Sequence, residues 1–93
     1  MEGFLVERYW PGVTLDDVEL LNDRLHEVST DDASFVGSIL VPEDETVLFE
    51  FRARNVDAVL AVSRLAGLRC DRVVPATRLL GDDRPHAGPE LGT

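Results

Sequence analysis

The hydrophobic pattern of the first 80 residues switches between the two-residue period of strands and the 3.6-residue period of helices. Strand-like and helical segments follow one another in the order 3–10, 15–28, 34–41, 46–53, 56–66 and a last strand within 69–80. This β-α-β-β-α-β order predicts a ferredoxin-like α+β fold with a four-stranded antiparallel sheet. Right-handed crossovers place the first and third strands at the centre and both helices on one face of the sheet.

Local signals fix the ends of both predicted helices. Thr14 precedes the first helix, and Asp17 lies three residues after Thr14, which is the spacing of a capping box. Asn55 is a preferred N-cap for the second helix, and Gly67 suits the left-handed position that ends it. We therefore expect helices from about residue 15 to 28 and from about 56 to 66.

The chain length predicts one domain, over residues 1–80, followed by a tail. Ninety-three residues suit a single domain of this kind. Five of the thirteen residues from 81 to 93 are Gly or Pro, and only Leu91 among them is a large aliphatic. A segment of this composition buries too little apolar surface to fold, so residues 81–93 are predicted to be disordered.

Composition excludes several classes of partner and compartment. Eighteen acidic residues outnumber nine arginines, and the formal net charge is −9. An acidic surface repels phosphate, so we expect neither a nucleic acid nor a membrane partner. A lone cysteine, Cys70, excludes an internal disulfide framework. Together with an amino terminus that lacks a signal-like segment, it predicts a cytoplasmic location.

Alternation along the two central strands divides their side chains into two sets. One set is strongly apolar and suits a core under the helices: Phe4, Val6, Val47, Phe49 and Phe51. The other mixes apolar and charged residues: Leu5, Glu7, Tyr9, Leu48, Glu50 and Arg52. This mixed face is too apolar to remain fully exposed to solvent and too polar to form a hydrophobic core. We therefore expect two copies to stack these faces as a dimeric α/β barrel that encloses a partly polar cavity.

Glu7 and Glu50 are the predicted catalytic residues. Pairing of the central strands near their midpoints would place the two carboxylates side by side, with Arg52 and Tyr9 in reach as ligand-binding residues. Two close carboxylates in a partly dry cavity have divergent pKa values and can move a proton. The alternative is an ion-pair network with Arg52 at the dimer interface.

The second strand contributes Gly37 or Ser38 to the ligand site, depending on register. A four-residue turn at 42–45 places Gly37 opposite Glu50, and a shift of one residue places Ser38 there instead. A glycine inside a strand often marks the close approach of a ligand or of another backbone.

Several short motifs resemble a known family. These are Leu5-Val6-Glu7-Arg8 with Pro11-Gly12, Ser38, the acidic hairpin turn, Ala66-Gly67-Leu68 and Asp71-Arg72-Val73. Between about Phe4 and Leu80 the chain resembles the small bacterial nickel-binding-type domain of otherwise unknown function. The resemblance implies a dimeric ferredoxin-like barrel and, for at least one described member, cytoplasmic nickel binding.

The ligands that this resemblance implies are replaced in the present chain. The family often has a histidine just before the serine of the second strand and a cysteine in the third strand. Gly37 and Phe49 occupy these positions here. Transition metals need converging imidazole or thiolate ligands, so we expect no bound nickel or zinc.

Three functional hypotheses follow from these observations. The first is a cofactor-free homodimer that binds a small, largely apolar organic molecule and isomerises, cyclises or dehydrates it through Glu7 and Glu50. The second is a metal-binding protein, as the resemblance implies. The third is a binding domain without chemistry.

Overall fold

The computed structural model describes residues 1–79 and residue 81. The predicted tail, residues 81–93, therefore lies outside the described residues except for Gly81. The elements are β1 (Glu2–Tyr9), α1 (Leu15–Val28), β2 (Ala33–Val41), β3 (Thr46–Ala53), α2 (Val56–Ala66) and β4 (Arg72–Pro75), with a short 3-10 turn at Pro42–Asp44.

The four strands form one antiparallel sheet in the order β2-β3-β1-β4. The first and third strands lie at its centre, as predicted, and the architecture is the ferredoxin-like α+β fold. Pro75 ends the edge strand β4, where its missing N–H interrupts no interior ladder.

The helix ends form where the sequence predicts them. The Asp17 N–H donates to the Thr14 hydroxyl and the Thr14 N–H donates to the Asp17 carboxylate, which completes the capping box. The Asn55 side chain accepts a hydrogen bond from the Ala58 N–H, 2.9 Å away. Gly67 ends α2 with a φ of 80°, a left-handed conformation that favours glycine.

The core lies between the helices and one face of the sheet. The predicted core residues Phe4, Val6, Val47, Phe49 and Phe51 are all buried there. On α2, Val59 and Val62 are buried and Val56 is exposed. Val56 lies in the first turn of the helix, and Val62 continues the buried stripe from Val59 one turn later.

Candidate functional site

The sheet face turned away from the helices, called the open face below, carries the candidate site. The middle of this face is formed by the central strands β1 and β3. Strand register assigns to it Gly3, Leu5, Glu7, Tyr9, Gly37, Ile39, Leu48, Glu50, Arg52, Arg72 and Val74. Leu5 and Leu48 are half-buried on this face, and Ile39 is 57% exposed.

Glu7 and Glu50 share the open face but are not directly paired. In the ladder Glu7 lies opposite Leu48, and Glu50 lies opposite Leu5. The two glutamates are therefore diagonal neighbours, and diagonal positions on a sheet are about 7–8 Å apart. The predicted side-by-side placement is wrong, because the strands pair two residues away from the register that it required.

Glu50 is held by an arginine that lies beyond the last strand. The Arg78 Nε donates to Glu50 Oε2 at 2.9 Å, and the Arg78 Nη2 donates to Glu50 Oε1. This fork of two parallel, charge-assisted hydrogen bonds is stronger than a pair of hydrogen bonds between neutral groups. The hydrogen bonds from Arg78 lower the pKa of Glu50, against a smaller opposing effect of burial. Glu50 is therefore an ionised and weakly basic carboxylate.

Glu7 has a separate arginine partner on the edge strand. Arg72 lies directly opposite Glu7 in the β1–β4 ladder, and its Nη1 donates to Glu7 Oε2 at 3.2 Å. Each glutamate thus forms its own ion pair. Neither pair uses Arg52, whose Nη2 donates to the Met1 carbonyl oxygen at 3.0 Å.

Tyr9 lies at the end of β1, next to Glu7 on the open face and four residues from Leu5, the ladder partner of Glu50. It is opposite Thr46 in the ladder, and its side chain is half exposed. The Tyr9 backbone N–H donates to Asp71 Oδ2 at 2.7 Å, and this hydrogen bond holds the pKa of Asp71 below its usual value. The Tyr9 backbone therefore anchors the loop before β4 through Asp71, and the Tyr9 ring lies outside the cluster around Glu50.

Gly37 lies opposite Glu50, as the predicted register requires. A β-bulge between Phe35 and Gly37 changes the register further along the strand and returns Phe35 to the core. Ser38 consequently lies on the opposite side of the sheet, where its hydroxyl donates to the Asn22 side chain of α1 at 3.0 Å. The structure brings Gly37 to the candidate site and separates Ser38 from it.

The segment that follows β4, residues 76–79, crosses over the open face and is called the strap below. The Ala76 N–H donates to the Gly3 carbonyl at 2.9 Å, which anchors the strap to β1. Glycine is required at this position, because a Cβ on Gly3 would lie only 2.4 Å from the Ala76 carbonyl oxygen. Arg78 projects from the strap to Glu50 and completes its attachment.

Two cavities of different character share Arg78 in their linings. The first has a volume of about 230 Å³ and an apolar lining that includes Phe4, Leu5, Ile39 and Leu79. The second has a volume of about 270 Å³ and a more polar lining, to which Arg52 contributes. Both are bounded by Glu50 and by Arg78 of the strap, so they form adjoining halves of one region.

The described residues offer no transition-metal site. No three His, Cys, Asp or Glu side chains among them are grouped so that they could hold a metal ion. Gly37 and Phe49 supply no ligand atom, and Phe49 is fully buried in the core. His26 lies on α1 and packs edge-on against Phe35, with ring centroids 4.8 Å apart. The residue set therefore does not fit nickel or zinc.

Sequence reasoning missed Arg72 and Arg78, which are the two partners of the glutamates. Arg72 could have been predicted, because β4 pairs with β1 at the edge of the sheet and the register of this pair places Arg72 opposite Glu7. Arg78 carried no comparable signal, because the strap has no periodicity and its path depends on a tertiary contact with Gly3.

Comparison with known proteins adds support for the fold. The chain matches no family model and no curated protein at a significant level. Among solved structures it is similar to the chain in the crystal structure of SCO4226 from Streptomyces coelicolor A3(2), with a TM-score of 0.74 and 20% identity. The match covers 84% of this chain and 99% of that chain. At this identity the likeness shows the ferredoxin-like fold alone.

Proposed function

We propose that the protein is a cytoplasmic homodimer that binds a small organic molecule between the open faces of its two copies. The observation that carries this proposal is the composition of the open face. It exposes aliphatic and aromatic surface, including Ile39 and Tyr9, beside ion pairs that are satisfied within one chain. Ile39 lies opposite Leu48 in the ladder, so the apolar surface is continuous across two strands, and continuous exposed apolar surface supports an interaction site.

Charge balance favours a second copy as the occupant of this surface. The whole chain carries a net charge of −9 and would repel itself over most of its surface. On the open face three arginines, Arg52, Arg72 and Arg78, lie with two glutamates, Glu7 and Glu50, so this region is close to neutral. Two open faces can therefore meet without the repulsion that opposes other contacts between copies.

Binding accounts for the site better than proton transfer does. A general base near neutral pH needs a raised carboxylate pKa, whereas Arg78 lowers that of Glu50. The second glutamate is separately engaged by Arg72. The arrangement supports a role in orienting a ligand, and we do not assign an isomerase, cyclase or dehydratase activity to it. The metal-binding alternative lacks its ligands among the described residues.

The main experiment measures the fluorescence of N-phenyl-1-naphthylamine, a neutral apolar probe that brightens in apolar sites. We expect saturable enhancement with the wild-type protein and its loss in Ile39→Arg, which places a charge in the apolar cavity. The matched control is Leu65→Arg, because Leu65 is also exposed but lies on α2. Equal enhancement by both variants, or none with the wild type, would refute the proposed site.

A further inference from the structure

The geometry points to an amphipathic carboxylic acid as the ligand of the open face. This inference rests on the proposed function and specifies its ligand class. The apolar body of the acid would lie in the cavity lined by Leu5, Ile39 and Leu79. Its carboxylate would lie in the adjoining cavity and bind Arg52 and the outer edge of Arg78.

The size of the apolar cavity limits the body of the ligand. Its volume is about 230 Å³. An apolar cavity of about 150 Å³ is sufficient to bind benzene. In one chain the cavity therefore accommodates one aromatic ring or a short alkyl chain, and a larger molecule such as N-phenyl-1-naphthylamine also needs the space between the open faces of two copies.

The polar cavity contains an arginine with unused hydrogen-bonding capacity. Arg52 donates one of its five N–H groups to the Met1 carbonyl. Within the part of the chain that the structure describes, no carboxylate oxygen lies within 4.0 Å of its guanidinium nitrogens. A guanidinium in this condition favours a planar carboxylate, which matches its paired donors.

The neighbouring charges set the sign of the ligand. Glu50 is neutralised by Arg78, which still has donors directed away from that pair. Glu2 also borders the polar cavity, but it lies opposite the buried Ala53 in the ladder and therefore belongs to the sheet face opposite Arg52. The open-face charges that border the polar cavity, Arg52 and Arg78 against Glu50, therefore leave one positive charge in excess, which an anionic head group satisfies.

Two matched probe pairs test this inference by isothermal titration calorimetry. The pairs are phenylacetate with phenylacetamide and octanoate with octanamide, which differ within each pair in charge and little in shape. For the wild-type protein we expect the acid to bind at least roughly 10-fold more tightly than the amide in one pair, which corresponds to about 1.4 kcal/mol.

Arginine variants locate the source of the preference. Arg52→Gln should reduce it to about 2-fold or less, because the uncompensated guanidinium is removed. Arg54→Gln is the matched control, since Arg54 lies two residues away and pairs with Asp32 at 3.0 Å. It should keep the full preference. Thermal melting of both variants checks that each is folded.

The outcomes separate this inference from the proposed function. Equal affinity for acid and amide in both pairs, or a preference that persists in Arg52→Gln, would overturn the carboxylic acid assignment. Binding of the neutral fluorescent probe would then still support the proposed function. Failure of every probe to bind the wild-type protein would reject both.

Discussion

Glu50 has the most informative environment of any single residue on the open face. Alternation along β3 was sufficient to predict that it shares a face with Glu7 and Arg52. Its actual partner, Arg78, lies 28 positions later in a segment with no regular pattern. Face assignment follows from strand period, which is local, whereas ion pairs depend on register and on the path of the chain after β4.

The ion pair between Glu50 and Arg78 predicts a specific pH dependence of stability. Because the folded-state pKa of Glu50 is lowered from 4.5, the pair stabilises the protein above that pH and ceases to do so as pH falls through the lowered value. At pH 7 Glu50→Gln should lower the free energy of unfolding by about 0.5–1 kcal/mol, since Arg78 is half exposed. Urea unfolding at several pH values measures the difference.

The control for this pH dependence is Glu43→Gln. Glu43 is exposed in the hairpin turn and forms no ion pair among the described residues. The Glu43→Gln variant should have the same free energy of unfolding as the wild type at every pH. A stability gap for Glu50→Gln that stays constant down to about pH 3 would show that the Arg78 pair contributes no ionisation-linked stability.

At the level of elements, the central strands and both helices were predictable and the bulge in β2 was not. The helix ends are predictable from Thr14, Asn55 and Gly67, because the side chains of the first two cap a helix and the third favours a left-handed backbone. Phe35 and Ser38 both face the helices although they are three positions apart, which strict alternation forbids. The bulge exists because burying Phe35 in the core outweighs the loss of a regular ladder at Val36.

The contact between β1 and the strap predicts a difference between two glycine substitutions. Gly3→Ala would place a methyl group 2.4 Å from the Ala76 carbonyl oxygen, so the strap must move and its hydrogen bond to Gly3 must lengthen. We expect a stability loss of about 1–3 kcal/mol and weaker binding of the fluorescent probe. Thermal melting and probe titration measure the two effects.

Gly37→Ala is the matched control for the strap. An added Cβ at Gly37 meets no atom within 4 Å, and its backbone does not have a positive φ. The variant should be as stable as the wild type or up to about 1 kcal/mol more stable. If Gly3→Ala were as stable as Gly37→Ala and bound the probe normally, the strap would have no part in forming the cavity.

On the scale of the whole molecule, the sequence predicted the fold because every element agreed with it. The β-α-β-β-α-β order, the apolar set under the helices and the proline on the edge strand all specify one topology. The functional consequence is a sheet with helices on one side only. Among the residues that the structure describes, no helix is long and apolar enough to cross a membrane.

Self-association is the claim on which both the proposed site and its ligand depend. A single chain leaves the cavities beside Arg78 open to solvent along the sheet, and a second open face would enclose them. Ile39 lies on this surface and Leu65 lies on α2, outside it. A charged residue introduced at Ile39 should therefore dissociate the dimer, whereas a charged residue introduced at Leu65 should leave the dimer intact.

Light scattering coupled to size-exclusion chromatography, at micromolar protein concentration, measures this directly. The wild type and Leu65→Arg should elute with about twice the chain mass of 10.3 kDa, and Ile39→Arg should elute with about the mass of one folded chain. A wild-type mass of about one chain would contradict the account. A dimer that persists in Ile39→Arg would contradict it equally, because the copies would then meet through another surface.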